Sequence, residues 1–237
     1  MTRSAPPALL LDEASAPYRT AGGFAYHFTR GKLRADPAFA AILAQGLLAQ
    51  STHILDLGCG QGLLAAWLFA AITCTQRGSW PSAWPSAPQP QSIRGIDRLP
   101  RDIERARRAL GDRAEFLLGD IRETSFGTAD AVVILDVLHF IDFESQQRIL
   151  ARVRTALAPQ GVMLLRIGDA AGGWRFRLSQ GVDRTVALAR GGTFTRLYCR
   201  TLVEWLTLLG NNGFRSTALP MSAGTLFSNV LLVTKPA

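Results

Sequence analysis

Residues 55–62 read LDLGCGQG, and no other stretch narrows the possible folds of this chain so much. A short apolar strand ends at Asp56, and Gly58, Gly60 and Gly62 then let the backbone turn tightly and approach a ligand at a helix N-terminus. The spacing is G-x-G-x-G. A dinucleotide loop would need glycine at position 63, where this chain has Leu63. The next residues, LLAAWLFAAI, are apolar on nearly every helical face, as expected of a helix packed beside a sheet.

Strands and helices alternate from there. SIRGID, AEFLLGD and ADAVVILDVL have strand character, while PRDIERARRAL and ESQQRILARVRTALAP have helical periodicity. A Gln-Gly pair closes the second helix ahead of the strand VMLLRIG. This is a βαβ series, and it predicts a parallel, doubly wound sheet. Residues 74–91, CTQRGSWPSAWPSAPQPQ, interrupt it with a proline density that excludes both helix and central strand. They are expected to form an inserted loop, read first as mobile, with docking of Trp80 and Trp84 on the body or on a partner as the alternative. Beyond residue 168 the pattern changes. Residues of about 169–200 suit a cap over an acceptor site, followed by a helix with Thr201 and Glu204 spaced as a capping box and Gly210 as its stop. The chain closes with two strands, expected as an antiparallel pair on the sheet edge.

Three strand ends carry carboxylates besides Asp56. Asp97 ends the second strand, where an acidic side chain accepts from both hydroxyls of a ribose. Asp120 follows the third, placed to accept from an adenine amino group, and Asp136 follows the fourth. Each carboxylate taken alone also suits a helix N-cap or a surface ion pair. Together they converge on the crevice at the carboxyl edge of such a sheet.

The ordered set ILDLGCGQG, GID, GDI, VVILDVLHF and LAPQGVMLL resembles the class I S-adenosylmethionine-dependent methyltransferases over roughly residues 50–168. The resemblance implies an α/β, doubly wound, Rossmann-like methyltransferase sheet, mostly parallel with an antiparallel C-terminal strand. It also implies a helical lid over residues 1–50 ahead of a domain spanning 51–237, and S-adenosyl-L-methionine as cofactor. Asp56, Gly58, Cys59, Gly60 and Gly62 would line the methionine part, Asp97 with Arg98 the ribose, and Asp120 with Ile121 the adenine. Leu135 and Asp136 would flank the end near the reacting methyl.

A sulfonium is already electrophilic, so the protein must mainly align an acceptor and exclude water. A hydroxyl acceptor also needs a base, and His139, just past the fourth strand, is the candidate; a structural role for its imidazole stays open. Tyr26, His27, Arg166, Asp169, Trp174 and Tyr198 are further candidates for the acceptor pocket, Tyr26 being a second catalytic candidate. YHFTRGKLRADPAF, GDAAGGWRFR and PMSAGTLFSNVLLV are similar to the methyltransferases encoded beside bacterial aryl-polyene pigment pathways. That similarity implies methylation of a phenolic head group, free or tethered to an acyl carrier protein. In the first of these segments Pro37 begins the helix PAFAAILAQGLL. Arg30, Lys32 and Arg34 would then face the cofactor carboxylate or an anionic acceptor. The alternative is a solvated basic turn anchored by Phe24 and Phe28.

With 237 residues and 48% hydrophobic content the chain can bury one full core. The net charge is +8, almost all of it from arginine, and residues 166–237 hold nine of the 26 basic residues but three of the 18 acidic ones. An acidic partner or anionic substrate is expected to meet the protein there. A pI near 10.4 keeps a nucleic-acid methyltransferase open as an alternative. Against it, LDVLHF stands where base-amino methyltransferases of this fold carry an N-P-P-Y-like motif. A binding protein that has lost its chemistry is disfavoured by the full set of carboxylates. Three widely spaced cysteines suggest neither a disulfide framework nor a zinc site. The N-terminal apolar run is broken by Asp12 and Glu13, so neither a signal peptide nor a span is expected, and a cytoplasmic protein is.

Overall fold

The computed structural model describes residues 6–171, 196–221 and 229–237. Their core is a seven-stranded sheet: β1 (His53–Leu57), β2 (Ser92–Asp97), β3 (Glu115–Leu118), β4 (Ala129–Leu135), β5 (Leu157–Gly168), β6 (Phe214–Pro220) and β7 (Asn229–Pro236). The spatial order is β3-β2-β1-β4-β5-β7-β6. The first five run parallel, β7 is antiparallel to β5, and β6 is antiparallel to β7. The expected terminal pair is therefore present, with the last strand inserted between β5 and β6. The order reverses between β1 and β4, which opens a crevice at their carboxyl ends.

Seven α-helices are described: α1 (Ala8–Ser15), α2 (Gly23–Ala35), α3 (Pro37–Ala44), α4 (Leu63–Gln76), α5 (Pro100–Leu110), α6 (Phe143–Ala156) and α7 (Leu202–Asn211). No helix among the described residues is long and apolar enough to cross a membrane. The all-round apolarity of α4 has a cause beyond the sheet. One side lies against β1, and the other is covered by α1 and α3, where Phe39 meets the Trp67 ring edge-on and its carbonyl accepts from Trp67 Nε1 at 2.9 Å. The N-terminal segment is thus partly a structural layer over α4. α2 crosses the sheet edge that carries the crevice, joined there by Tyr18 ahead of it and by Asp36 at the start of α3.

Several boundaries differ from expectation. The helix before the insertion continues through Gln76, because apolar periodicity persists to Cys74 before Gly78 breaks it, so the loop spans 77–91. That loop is docked on the body. Trp80 and Trp84 meet edge to face and pack on the core, Trp80 Nε1 donates to Pro85 O at 2.9 Å, and Pro85 rests on Gly46. β5 begins at Leu157, ahead of the Gln-Gly pair, since Leu157 already pairs with Ala129 across an irregular register. α7 has the predicted capping box but runs past Gly210 to Asn211, and Gly213, at φ 74°, makes the turn. Helix α3 starts at Pro37 as expected and stops at Ala44, short of the predicted end.

Candidate active site

The glycine loop hangs from the end of β2. Gly58 and Cys59 donate their N–H groups to Ile96 O at 2.8 and 3.1 Å, and Gly60 N–H donates to Asp97 Oδ2 at 2.8 Å. Asp97 Oδ1 accepts from Leu99 N at 2.9 Å, so this carboxylate organises the loop ends on both sides of the crevice. Gly58 has φ 80°, and a Cβ there would lie 2.2 Å from Val137 Cγ2. No other residue fits that position. Asp56 is fully buried beside Asp97, and burial first, then the neighbouring charge, pushes its carboxyl up to about 7. A cationic ligand group is what such a carboxylate lacks. Cys59 is buried beneath the loop, and burial raises its thiol well above the ordinary range.

Helix α2 crosses the crevice edge of the sheet. Near its start Phe24 carries the Arg105 guanidinium of α5, 4.6 Å from the ring centre. In its middle Gln61 Nε2, from the glycine loop, donates to Ala25 O at 2.9 Å and Thr29 Oγ1 at 2.6 Å. Tyr18 donates to Gln61 O at 2.7 Å from beneath. Near its end Lys32 lies 3.3 Å from Asp136, just past β4. The stretch Tyr26–Ala35 is therefore helical, with Ala25, Thr29 and Leu33 buried at four-residue spacing.

Its basic residues diverge. Arg30 turns away to Asp12, at 2.5 Å, and Ser15; Arg34 is exposed. Tyr26 is partly buried, with Arg19 over its ring at 4.7 Å. Phe24 and Phe28 stack on one another at 5.8 Å, as packing anchors would. Lys32 alone of the three joins the crevice, within a ring described further below.

Asp136 is the single non-glycine residue with positive φ among those described, at 58°. The adjacent register places Arg166 of β5 beside Leu135, and both oxygens of Asp136 pair with its guanidinium. Arg166 and Lys32 hold Asp136 well below the usual carboxylate range, against the effect of burial. His139 follows in a 3-10 turn, Leu138–Phe140. Burial pulls its imidazole down to about 4, opposed by Asp136 and assisted by Arg166, so it is neutral at physiological pH and a weaker base than a free imidazole.

That turn is held from behind by Gln146 of α6, which is 0% exposed. Its Nε2 points at the carbonyls of Leu138, Ile141 and Tyr198 at 2.9–3.0 Å, and its Oε1 accepts from Arg200 Nε at 2.9 Å. Tyr198 N donates to His139 O at 2.8 Å. Next to it, Ala170 N donates to Arg200 O and Leu202 N donates to Asp169 Oδ1, so the chain leaves after β5 and returns at one neck beside His139. Trp174 and most of the expected cap lie outside the described residues.

The adenine end is less developed. Asp120 is tied to its neighbour Arg122, Nε at 3.0 Å from both oxygens and Nη2 at 2.6 Å, and accepts from Arg122 N. This is the surface ion pair allowed for above. Ile121 is buried and Arg98 exposed beside Asp97. An open depression of about 460 Å³ lined by His53, Ser92, Arg94 and Arg113 lies at the opposite, amino edge of the sheet. It contains none of the expected site residues.

Sequence reasoning did not single out Asp36, Gln61 or Gln146. Asp36 had a signal, an aspartate directly before a helix-starting proline. Gln146 had a weaker one, a polar residue three and four places ahead of Ile149 and Leu150 on the buried face of α6.

Residues 55–163 match the family profile described as a methyltransferase domain. Curated relatives include the carboxy-S-adenosyl-L-methionine synthases of Chromohalobacter salexigens, 30% identical over 143 residues covering 56% of this chain and 48% of that protein, and of Klebsiella pneumoniae, 27% identical over 56% and 52%. The chain spans about half the length of these relatives. Among solved structures, the magnesium protoporphyrin IX methyltransferase of Synechocystis PCC 6803 with bound SAM superposes at TM-score 0.57, with 17% identity over 88% of this chain and 84% of that one. Mitomycin 7-O-methyltransferase superposes at 0.56, with 23% identity over 97% and 68%. Both share the fold.

Proposed function

We propose that this chain, whose residues 55–163 match a methyltransferase domain, is a class I S-adenosylmethionine-dependent methyltransferase that transfers a methyl group to a small-molecule hydroxyl held between α2 and the end of β4. The observation that carries this reading is the convergence of Asp56, Asp97 and Asp136 at the ends of β1, β2 and β4, across the point where strand order reverses. Asp56 would meet the cofactor ammonium, Asp97 the ribose hydroxyls, and Ile121 one face of the adenine. S-adenosylmethionine supplies an activated methyl when bound. The chain's own contribution is to orient the acceptor, exclude water beneath α2, and take the acceptor proton on neutral His139.

A phenolic acceptor in a pigment or secondary-metabolite pathway is the finer reading. It is supported by the likeness of the N-terminal, post-β5 and C-terminal segments to aryl-polyene pathway methyltransferases. An acidic acyl carrier protein as bearer of that acceptor is supported by the basic excess in residues 166–237. A second reading comes from the curated relatives, which are carboxy-S-adenosyl-L-methionine synthases: formation of a carboxylated S-adenosylmethionine. Incubation with S-adenosylmethionine and a panel of phenolic acids and their carrier-protein thioesters, with and without added carboxylic acids able to donate a carboxyl group, read by mass spectrometry, separates the two. S-adenosylhomocysteine with a methylated acceptor supports the first, and a carboxylated nucleoside supports the second. In the first case, His139→Ala lowers the methylation rate by about 100-fold while S-adenosylhomocysteine affinity stays within about threefold. An unchanged rate would assign His139 to structure.

Asp56 makes binding pH-dependent. Its carboxyl in the ligand-free fold, at about 7, stands above the ordinary 3.8, so the folded protein keeps a proton that the unfolded chain loses. Its contribution to ligand-free stability therefore falls as pH rises between those values. A ligand ammonium would expel the proton. Affinity for S-adenosylhomocysteine is expected to rise with pH and level off above about 7, and calorimetry at pH 6 in buffers of different ionisation enthalpy should show about one proton released. A pH-independent affinity with no proton release would remove Asp56 from the ammonium site.

A further inference from the structure

Arg166 is 2% exposed, yet its charge is fully engaged. Its Nε lies 2.6 Å from Asp136 Oδ1, its Nη2 pairs with Asp136 Oδ2, and its Nη1 pairs with Asp36 Oδ1. Lys32 closes the ring, with Nζ 2.9 Å from Asp36 Oδ2 and 3.3 Å from Asp136 Oδ2. Two carboxylates and two cations leave it neutral, which is the condition for burying charge at tolerable cost.

The four members come from four places in the chain. Lys32 sits in the last turn of α2, Asp36 caps α3 by accepting from Ala38 N, Asp136 ends β4, and Arg166 belongs to β5. The Asp136 to Arg166 pair is internal to the sheet edge and the Lys32 to Asp36 pair links α2 to α3, while the Lys32 to Asp136 and Arg166 to Asp36 pairs join the N-terminal helices to the acceptor end of the crevice. We propose that Arg166 is a positioning residue for the transfer reaction: through Asp136 and Asp36 it fixes how α2 lies over the crevice, and Lys32 is the member that releases when ligand enters or leaves.

The division of roles follows from chemistry and exposure. A guanidinium fork holds two carboxylates in fixed directions, whereas an ammonium on a flexible stem is a movable point charge. The Lys32 side chain is 37% exposed, against 2% for Arg166 and 6% for Asp36, so water can replace its partners as it swings away. Arg166 cannot be released that way without leaving two buried carboxylates uncompensated.

The proposal rests on the crevice being the cofactor site, and the two are tested separately. S-adenosylhomocysteine binding to the wild-type chain tests the site. Amide hydrogen exchange of residues 23–35 tests the ring, with or without ligand. Lys32→Met is expected to raise that exchange about tenfold and to speed S-adenosylhomocysteine association and dissociation alike by about tenfold, leaving the Kd within about threefold. Arg166→Met is expected to raise exchange in α2 and to speed dissociation more than association. Wild-type exchange in α2 and wild-type rate constants in Lys32→Met would overturn the proposal. So would an Arg166→Met protein that melts earlier with α2 no more exposed than the rest of the fold. If Arg166→Met does not fold, the Lys32→Met result decides alone.

Discussion

Asp97→Ala should weaken S-adenosylhomocysteine binding by at least about 100-fold while the protein stays folded. The substitution removes the acceptor for Gly60 N–H and Leu99 N–H together with the carboxylate proposed to hold the ribose hydroxyls. Charge-assisted hydrogen bonds contribute about 1.5–3 kcal/mol each, and two lost ribose contacts alone reach that factor. Asp97→Asn keeps the shape and one acceptor oxygen but brings an amide donor toward Gly60 or Leu99, so an intermediate loss of about tenfold is expected. Titration calorimetry reads both. Wild-type affinity in Asp97→Ala would place the ribose elsewhere and undo the crevice assignment.

Gly58→Ala should be the most damaging glycine-to-alanine change among the described residues. The new Cβ would stand 2.2 Å from Val137 Cγ2, 3.1 Å from Cγ1 and 3.2 Å from Cβ, so the whole β-branched side chain obstructs it. The backbone at φ 80° adds about 1–2 kcal/mol for any residue with a Cβ. Overpacking adds roughly 1–3 kcal/mol, for a combined loss of about 2–5 kcal/mol. At this chain length that lowers Tm by roughly 5–15 °C. Gly58→Ala combined with Val137→Ala separates the two terms: the double variant should recover the packing part and keep the backbone part. A Gly58→Ala protein with wild-type Tm would mean that the loop adopts another path.

The strand series, the glycine loop and the three crevice carboxylates were legible because each is local. A strand end, a left-handed glycine and a helix start depend on neighbours within a few residues. The ring of Lys32, Asp36, Asp136 and Arg166 was not, since its bonded partners lie up to 130 residues apart. A solitary arginine in VMLLRIG shows only that something must neutralise it. Arg30 and Lys32 illustrate the same limit within one helix. They are two residues apart, so they point to different sides of α2, one to Asp12 and the other to Asp136. The insertion follows the docked alternative rather than the mobile one: its composition signals only a loop, and Gly46, on which Pro85 is seated, lies before β1. Asp120 kept a surface pair because Arg122 sits within reach of the same turn.

The neck after β5 has a consequence for how such a chain can change. Asp169 and Ala170 on the outgoing side meet Leu202 and Arg200 on the returning side, and Gln146 clamps the return to the His139 turn. Both ends of the intervening stretch are thereby fixed by contacts it does not itself make. Its length and sequence can be exchanged at a cost that grows only slowly with added residues. The fold thus anchors residues 172–195 at both ends beside the His139 turn, and under the proposed reaction that is the stretch whose replacement would change acceptor preference while leaving Asp56 and Asp97 as they are.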